Sequence, residues 1–426
     1  MPFLKSVQTP RPSDGAPAAE SPTPESPTPV SPGLSGRPVW TAYDFVTPEM
    51  PRALDERVGQ FLDDAGAESI KDDPRHLISA IDRNEASCRL YLLEDGEVIL
   101  CAASFTLEET RLSIMLGPIL LRRQPVRRVR ISFVEPVFLK TIDEAQRVVY
   151  LDQLLAKMAR DLEPADVIFF EAVPMDSALI RATRLTESAS NRAFRMIPYG
   201  AEQPHWLASL PPTYDDFMER LGSQTRQSVR RYARKFTKHV KDDYTVKKFT
   251  DLDDVDRFLD DAMAVSESTW QFRNEGAGLR NRAVLERVLK NAARHGWLRS
   301  YILYAKGEPV AFILGYQYGA RYDYDVPGYD PDWRDQRVGN FLIFEVIRDL
   351  IESDSGLTTF DFGATDNPLK RRTGDSLTMD GYFYLFPRTL RGSLTAFSVK
   401  CANGATDLVK ALRDKLSGRR DDTTQS

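Results

Sequence analysis

A short polar segment, residues 336–340, has the residue types that bind phosphate. It lies where a strand predicted over 320–329 gives way to a helix predicted over 338–352. The first N–H groups of a helix lack intrahelical partners and lie at the positive end of its dipole, and a glycine lets the backbone approach a pyrophosphate closely. A plain strand–helix loop with a capping glycine is the alternative. The candidate residues for binding a phosphorylated cofactor are Gln336, Arg337, Val338, Gly339 and Asn340.

A second basic segment, residues 360–375, follows another predicted strand. After the strand ends, a polar loop carries Lys370 and Arg371. Cationic side chains and backbone turns beside a strand end suit an anionic substrate or a developing oxyanion. Ordinary loop charge is the alternative, and Arg372 to Asp375 also has the RxxD spacing of a cyclic-dinucleotide site.

The segment 225–241 is predicted to form a helix with one basic face. Its basic side chains recur at intervals of four residues and line that face; they are Arg226, Arg230, Arg234 and Lys238. We expect Arg230 and Arg234 to contact an anionic ligand, such as a nucleotide-sugar diphosphate or an acidic membrane surface. A solvated charged face is the alternative.

Composition argues against several other classes of protein. The chain has 426 residues and a formal net charge of −5, so no overall positive charge calls for DNA or another nucleic acid. Cys88, Cys101 and Cys401 are far apart and form no CxxC pair, so neither a disulfide framework nor a metal site is expected. Isolated thiols, no secretory signal and no run of about 20 apolar residues predict a soluble, cytoplasmic protein.

The predicted elements place the candidate segments at strand ends in the second half of the chain. Hydrophobic spacing predicts an α/β order that occurs twice. In the first half, the predicted helices are 52–66, 74–83, 143–161 and 178–185, and the predicted strands are 89–95, 96–107, 112–121, 166–173 and 192–200. In the second half, the predicted helices are 213–240, 252–269, 280–295, 338–352 and 388–416, and the predicted strands are 244–250, 297–307, 308–319, 320–329, 357–362 and 379–386.

The repeated order predicts two tandem domains between polar ends. The N-terminal end is rich in proline and serine and poor in large apolar residues, so it is expected to be disordered. The predicted divisions are a tail 1–37, an N-terminal domain 38–210, a basic connecting helix 211–240, a C-terminal domain 241–418 and a polar tail 419–426.

In its second half the sequence resembles the CelD/BcsL-type (BioF2-like) acetyltransferase domain of the GNAT superfamily. The matching pieces are the basic helix, Ser268-Thr269-Trp270, the hairpin within 296–319, Tyr329-Asp330-Pro331 and FDFGATDNPLKRRTGD at 360–375. The preceding residues resemble the degenerate GNAT-like half that such proteins often carry, in an arrangement similar to that of the Fem peptidyltransferases. The resemblance implies a mixed α/β (α+β) fold of two tandem GNAT-like domains, each with a central, mostly antiparallel sheet flanked by helices.

The resemblance also implies acyl-CoA, most simply acetyl-CoA, as co-substrate. In GNAT proteins the pyrophosphate of CoA lies on a turn with the pattern Gln/Arg-x-x-Gly-x-Gly/Ala, whose places are taken here by Gln336, Gly339 and Phe341. Phe341 departs from the small third residue. In the family's FDFG-x-GD-x-x-YK pattern, Thr365 replaces glycine and Leu369 replaces tyrosine.

The implied reaction is direct attack of a bound amine on a thioester, which requires a proton acceptor and a stabilised oxyanion. We expect Asp330 or Asp366 to accept the proton. Lys370 is expected to contact the carbonyl oxygen or an anionic substrate group, and Tyr329 to protonate the leaving thiolate. The residues expected to contact substrate are Trp270, Arg230, Arg234, Asp361 and Arg371. A place in the core is the alternative for Trp270.

The resulting hypothesis is an acyl-CoA-dependent N-acetyltransferase that modifies an amino sugar in a lipid- or nucleotide-linked precursor of polysaccharide. Fem-like transfer from aminoacyl-tRNA is a second hypothesis, although the net charge of −5 argues against a tRNA partner. A non-catalytic binding or regulatory module of polysaccharide synthesis is a third. Peripheral membrane association stays open.

Overall fold

The computed structural model describes residues 37–81, 86–116, 119–131, 135–161, 167–184, 192–269, 278–353 and 355–402. Trp270, the predicted N-terminal tail apart from its last residue and the predicted C-terminal tail lie outside the described residues.

In this part of the chain, fourteen strands form one continuous sheet. The strands are β1 (Val39–Phe45), β2 (Ala86–Asp95), β3 (Val98–Leu116), β4 (Ile119–Ile131), β5 (Val137–Phe138), β6 (Val167–Pro174), β7 (Phe194–Pro198), β8 (Gln203–Ser209), β9 (Tyr244–Phe249), β10 (Ser300–Ala305), β11 (Glu308–Tyr318), β12 (Arg321–Tyr329), β13 (Thr359–Ala364) and β14 (Ser376–Pro387). The order along the sheet is β1-β2-β3-β4-β6-β14-β8-β13-β12-β11-β10-β9, with β5 beside β3 and β7 beside β14.

Helices cover both faces of this sheet. They are α1 (Arg52–Ala65), α2 (Pro74–Ser79), α3 (Glu144–Asp161), α4 (Ala178–Arg184), α5 (Tyr214–Arg220), α6 (Ser223–Val240), α7 (Val255–Ser268), α8 (Arg282–Arg294), α9 (Val338–Glu352), α10 (Pro368–Thr373) and α11 (390–402). None of these helices is both long enough and apolar enough to span a membrane.

Consecutive apolar residues in the strands give each half a core on both faces of its sheet. In β2, Leu90 packs with α1 while its neighbour Tyr91 packs with α3 on the opposite face. In β11, Ile313 packs with α5, α6 and α9, while Phe312 packs with α7 and α8. Successive side chains of a strand point to opposite faces, so near-continuous apolar strands are covered twice. The predicted fold class, a mixed α/β fold with a central sheet flanked by helices, is confirmed.

The two halves exchange strands at the middle of the sheet. β14, from the C-terminal half, pairs with β6 on one side and with β8 on the other. β8, which precedes α5, lies between β14 and β13. A strand from each half is therefore built into the neighbouring part of the sheet.

Several local predictions were wrong. The predicted strand 112–121 is divided between β3, which ends at Leu116, and β4, which begins at Ile119. The predicted single helix 213–240 is two helices, because Leu221 and Gly222 have extended backbone angles that interrupt it. The predicted polar loop after β13 contains α10, because the Asn367 side chain accepts hydrogen bonds from the N–H groups of Leu369 and Lys370 and so caps a helix. The strands β1, β5 and β8 were not predicted.

Candidate active site

The candidate site lies where two parallel strands of the sheet separate. β12 and β13 pair only from Arg321 and Thr359 to Asp323 and Asp361. Beyond that point β12 stays paired with β11 as far as Tyr329, whereas β13 stays paired with β8. Because each strand follows a different partner, a gap opens between them, and two cavities border it.

The first cavity has a volume of about 480 Å³ and lies between the outer end of β12, the start of α9 and one side of α6. Its wall includes Tyr329 at the end of β12 and Arg372 of α10. Arg337, Gly339 and Asn340 line it at the start of α9. The structure thus brings together four of the predicted residues around one cavity: Tyr329, Arg337, Gly339 and Asn340.

The start of α9 offers backbone N–H groups to a ligand. Arg337 precedes the helix in a left-handed conformation with φ 59°, and no side chain caps the helix start. The first helical hydrogen bond of α9 runs from the N–H of Phe341 to the carbonyl of Arg337, over 3.0 Å. The amides of residues 338–340 therefore lack an intrahelical acceptor, which is the arrangement that binds phosphate groups.

Gly339 keeps this end of the cavity open. A Cβ atom at position 339 would lie 3.3 Å from Cδ1 of Tyr329, so any larger side chain would meet the tyrosine ring or fill the cavity. Phe341 does not narrow the cavity. Its ring lies 4.5 Å from that of Phe236 and it belongs to the core beneath the helix.

The basic face of α6 does not enter the first cavity. Arg230 borders a separate cavity of about 170 Å³ together with Tyr214 and Arg348. Arg234 is exposed and donates to the carbonyl of Arg230 over 3.3 Å. Arg226 donates to backbone carbonyls at the end of α5 and so helps to hold α5 against α6.

The second cavity has a volume of about 530 Å³ and is lined mainly by charged and polar side chains from both halves of the chain. Lys71 and Glu171 come from the N-terminal half. Asp325, Asp361 and Lys370 come from the C-terminal half. No group of three or more Cys, His, Asp or Glu side chains in the described residues is arranged to bind a metal ion.

The two cavities meet at the gap between β12 and β13. Tyr324, Pro327 and Asn367 line both of them. A ligand in the first cavity and a ligand in the second can therefore approach each other at these three residues.

A buried histidine between two carboxylates forms part of the wall of the second cavity. Nε2 of His205 lies 2.6 Å from Oδ1 of Asp361, and Nδ1 lies 2.7 Å from Oδ2 of Asp380. The three residues come from β8, β13 and β14, which are neighbours in the sheet. Burial alone would lower the pKa of His205, but the hydrogen bonds to both carboxylates outweigh it and raise the pKa to about 9. The imidazole is therefore protonated at neutral pH.

One further buried carboxylate, Asp323, lies near Asp361 where β12 and β13 begin to separate. Its burial and the charge of Asp361 raise the pKa of Asp323 to about 6. Burial acts on Asp361 in the same direction, but the hydrogen bond from His205 lowers its pKa to about 2. The hydroxyl of Ser69 donates to Oδ1 of Asp323 over 3.2 Å, and Arg321 lies 3.3 Å from Oδ2 of Asp361. Asp361 is therefore charged throughout the physiological range of pH, whereas Asp323 takes up a proton as the pH falls below about 6.

Lys370 is a buried amine beside this cluster. Its Nζ donates to the carbonyl of Gly363 over 3.1 Å and to Oγ1 of Thr365 over 2.8 Å. Burial lowers the pKa of Lys370 from its usual 10.5 to about 8, although the charge of Asp361 opposes the change. The amine therefore loses its proton within a physiological range of pH.

Thr365 takes the place of a family glycine at a position that suits glycine. Its φ is 125°, in a region that residues with a Cβ atom rarely adopt. Its hydroxyl is one of the two acceptors for Lys370, so the strained threonine helps to orient the amine.

Several predicted residues lie outside both cavities. Asp330 caps the 3₁₀ turn Pro331–Gln336 by accepting from the N–H of Asp332. Asp366 forms an ion pair with Arg371 at the surface, and this pair lowers the pKa of Asp366.

Two of the predicted phosphate-binding side chains point into the protein. Val338 is fully buried in the core under α9. The Oε1 atom of Gln336 is buried as well. These two residues can contribute to the first cavity only through their backbone.

Some residues of the second cavity were not predicted. His205, Asp380 and Lys71 line it, yet none was a candidate. His205 is 156 residues from Asp361 and 175 from Asp380 in sequence, and it lies on β8, which was not predicted. No local spacing could have identified this group.

Comparison with known proteins gives a match over the part of the chain that builds the first cavity. Residues 223–371 match the family model described as the acetyltransferase (GNAT) domain. Comparison with the curated proteins gives no match.

Solved structures give similarities over most of the chain. The crystal structure of FemX is 13% identical, covers 80% of this chain and 98% of that chain, and has a TM-score of 0.55. A DUF2156 domain from Agrobacterium fabrum is 12% identical, covers 82% and 97% of the two chains, and has a TM-score of 0.48. A tandem GNAT protein from the clavulanic acid biosynthesis pathway is 13% identical, covers 82% and 98%, and has a TM-score of 0.45. The similarity to FemX extends through both halves of the sheet and so concerns the fold of the whole described chain.

Residues 223–371 therefore match the acetyltransferase (GNAT) domain model, and the chain that carries them has the Fem-like tandem architecture that its sequence predicted.

Proposed function

We propose that this protein transfers an acyl group from acyl-CoA, bound in the first cavity, to an amine bound in the second cavity. The observation that carries the proposal is the junction of the two cavities at Tyr324, Pro327 and Asn367. Transfer between two bound substrates requires that their reacting atoms meet. The gap between β12 and β13 offers a place where they can do so.

The residues of the first cavity fit acyl-CoA as co-substrate. The backbone amides at the start of α9 suit the pyrophosphate, and Gly339 leaves room for it. Arg337 and Arg372 add positive charge to the same cavity. The gap between the strands then directs the pantetheine arm towards Tyr324.

The residues of the second cavity suit an acceptor amine. The amine nitrogen attacks the thioester carbonyl, a C–N bond forms, the C–S bond breaks and the amine loses a proton. The neutral amine of Lys370 accepts this proton, because its pKa is about 8 and it lines the cavity. Asp330 and Asp366 are less suited to the role since neither lines either cavity. Tyr324, which lines both cavities, is the better placed donor to the leaving thiolate, compared with Tyr329 at the end of β12, which lines only the first.

We propose an amino sugar as the acceptor, carried on a lipid- or nucleotide-linked precursor of polysaccharide. The charged lining of the second cavity favours a polar acceptor over an apolar one. The isolated cysteines support a reducing, cytoplasmic compartment for the reaction. Fem-like use of aminoacyl-tRNA is the second candidate, and the fold shared with FemX is the observation that favours it.

Calorimetric titration with acetyl-CoA tests the proposal directly. We expect saturable binding by the wild-type protein and at least tenfold weaker binding by Gly339→Trp, because the indole would occupy the space beside Tyr329. Val46→Trp is a matched control, since Val46 is exposed in the N-terminal half and lines neither cavity. Its affinity should equal that of the wild type.

The outcomes separate the two candidate functions. Absence of acetyl-CoA binding by the folded wild-type protein would exclude acyl-CoA-dependent transfer, and binding of aminoacyl-tRNA would then favour the second candidate. Equal binding by wild type and Gly339→Trp would show that acetyl-CoA binds elsewhere. If binding is as expected, glucosamine and nucleotide-linked amino sugars are the first acceptors to assay, with release of free thiol as the measurement.

A further inference from the structure

The β3–β4 hairpin extends beyond the rest of the sheet. β4 pairs with β6 only through residues 128–131, whereas it pairs with β3 from Ile119 onward. Among the described residues, the outer part of β4, residues 119–127, therefore has β3 as its partner and no strand on its other side.

α11 packs along one face of this projecting arm. Ala396, Val399 and Ala402 of the helix belong to the same apolar cluster as Leu112 and Val126 of the hairpin. The side-chain amide of Gln124 also donates to Oγ1 of Thr395 over 3.0 Å. The helix and the outer hairpin therefore form one structural unit.

This unit exposes large apolar side chains at two neighbouring places. Six of the fourteen exposed large hydrophobic residues of the described chain lie here: Ile119, Leu120 and Leu121 near the hairpin tip, and Leu390, Leu394 and Phe397 on α11. The three on α11 recur at helical spacing and form the face opposite the packed one. Leu390 is 80% exposed and Phe397 is 64% exposed.

The same unit carries mainly positive charge. Residues 109–116, 119–127 and 390–402 contain six basic side chains and one acidic one, Glu109, which lies opposite Arg127 in the hairpin, in a chain whose net charge is −5. Arg122 and Arg123 follow the apolar tip directly, and Lys400 is exposed on α11. Exposed apolar side chains next to arginine and lysine are the combination that binds the surface of an anionic bilayer. The apolar groups enter the membrane interface, and the cations bind the lipid phosphates.

We propose that the unit formed by the outer β3–β4 hairpin and α11 docks on an anionic lipid bilayer. The exposed leucines and isoleucine favour a bilayer over a nucleic acid, because phosphate binding alone would not require them. The docking surface is separate from both cavities, so this proposal stands whether or not the proposed function is correct.

Co-sedimentation with lipid vesicles tests the proposal, with the full-length protein at physiological salt. We expect binding to vesicles of phosphatidylcholine and phosphatidylglycerol in a 7:3 ratio, and little binding to phosphatidylcholine alone. The variant Ile119→Ser/Leu120→Ser/Leu121→Ser should lose binding to the mixed vesicles. A second variant, Arg122→Ser/Arg123→Ser, should bind about 25-fold more weakly, since each basic residue near an anionic surface contributes roughly a fivefold change in affinity.

A matched control removes three exposed apolar residues from elsewhere on the chain. Val46→Ser/Val149→Ser/Leu252→Ser changes side chains that are also exposed but lie outside the proposed surface. It should bind vesicles as the wild type does. All variants should keep the wild-type unfolding temperature, because every substituted side chain is exposed.

Three results would overturn the proposal. The first is no binding of the folded wild-type protein to anionic vesicles. The second is equal binding by the wild type and the hairpin variants, which would place the lipid contact elsewhere. The third is a wild-type dimer in solution that becomes a monomer in the hairpin variants without any vesicle binding, which would identify the surface as a contact between two copies of the chain.

Discussion

His205 connects three strands that come from distant parts of the chain. Its two ring nitrogens contact Asp361 on β13 and Asp380 on β14, and all three side chains are buried. Removing the central cation would leave two buried carboxylates without their shared partner, which is far more costly than losing a surface ion pair. This contact therefore contributes to stability and also fixes the charge of Asp361 beside the second cavity.

The first prediction concerns the pH dependence of this contribution. The pKa of His205 is raised from 6.5 to about 9 in the folded state. The stabilisation is thus complete below about pH 6.5 and is lost as the pH rises through 9. We expect His205→Gln to be less stable than the wild type at pH 6, and the difference in unfolding free energy to shrink by about 2–3 kcal/mol by pH 10.

Urea unfolding at pH 6, 8 and 10 measures this difference. His239→Gln is the control, because His239 is exposed on α6 and outside the cluster. A stability difference between wild type and His205→Gln that stays constant from pH 6 to pH 10 would contradict the prediction.

The second prediction concerns the proton acceptor. Burial lowers the pKa of Lys370 to about 8. At a pH below that value, the fraction of neutral amine increases about tenfold for each unit by which the pH rises. We expect kcat/KM to rise in the same way up to about pH 8 and then to level off. Lys370→Met should be at least 100-fold less active and should lack this inflection.

Lys370→Arg provides the matched control, because arginine keeps the positive charge but does not lose its proton in this range. It should be as inactive as Lys370→Met, and both variants should still bind acetyl-CoA. An unchanged inflection near pH 8 in either variant would assign the proton acceptor to another group.

At the scale of elements, α10 positions Lys370. The helix is short, and the Asn367 side chain accepts from the N–H groups of Leu369 and Lys370, both over 2.9 Å. Loss of such a cap costs about 1 kcal/mol. We expect Asn367→Ala to lower the unfolding free energy by that amount. It should also reduce kcat more than a surface substitution that lowers the unfolding free energy equally.

Asn367→Asp tests whether the cap itself is responsible, since a carboxylate oxygen can accept the same two hydrogen bonds. It should retain the wild-type stability in urea unfolding. Equal destabilisation by Asn367→Ala and Asn367→Asp would mean that α10 does not depend on this cap.

The sequence predicted the elements that have strong local patterns. α9 begins and ends where it was predicted, because apolar residues at helical spacing follow a polar loop. The strands β10, β11 and β12 also lie within their predicted ranges, because each contains several apolar or aromatic residues and glycine-containing turns separate them. Three of the five residues predicted at the start of α9, Arg337, Gly339 and Asn340, consequently line one cavity.

Elements that depend on distant partners were not predictable in this way. β8 has the sequence QPHWLAS, with a proline and little alternation, and is a strand because β13 and β14 lie on either side of it. The charged cluster around His205 also depends on distant partners, since it forms only when β8, β13 and β14 lie side by side. The first cavity could thus be predicted from local sequence, whereas most of the second could not.

At the scale of the whole molecule, the exchange of strands makes the two halves interdependent. β8 belongs to the predicted N-terminal domain by sequence but pairs with β13, and β14 belongs to the predicted C-terminal domain but pairs with β6. Cutting the chain at the predicted boundary between residues 210 and 211 would remove both β8 and β6 from β14. It would also expose the edge of β13.

We therefore expect the fragment 211–426, expressed alone, to aggregate or remain unfolded. Unpaired edges of central strands are sites of aggregation, and β13 and β14 would each lose a partner. It would also lose His205, leaving Asp361 and Asp380 without the cation they share.

Co-expression of fragments 1–210 and 211–426 should restore a soluble complex, because it supplies both missing strands. Size-exclusion chromatography and acetyl-CoA titration of each sample measure the outcome. A soluble, monomeric 211–426 fragment that binds acetyl-CoA as tightly as the intact chain would contradict this interdependence and would make the C-terminal half an independent domain.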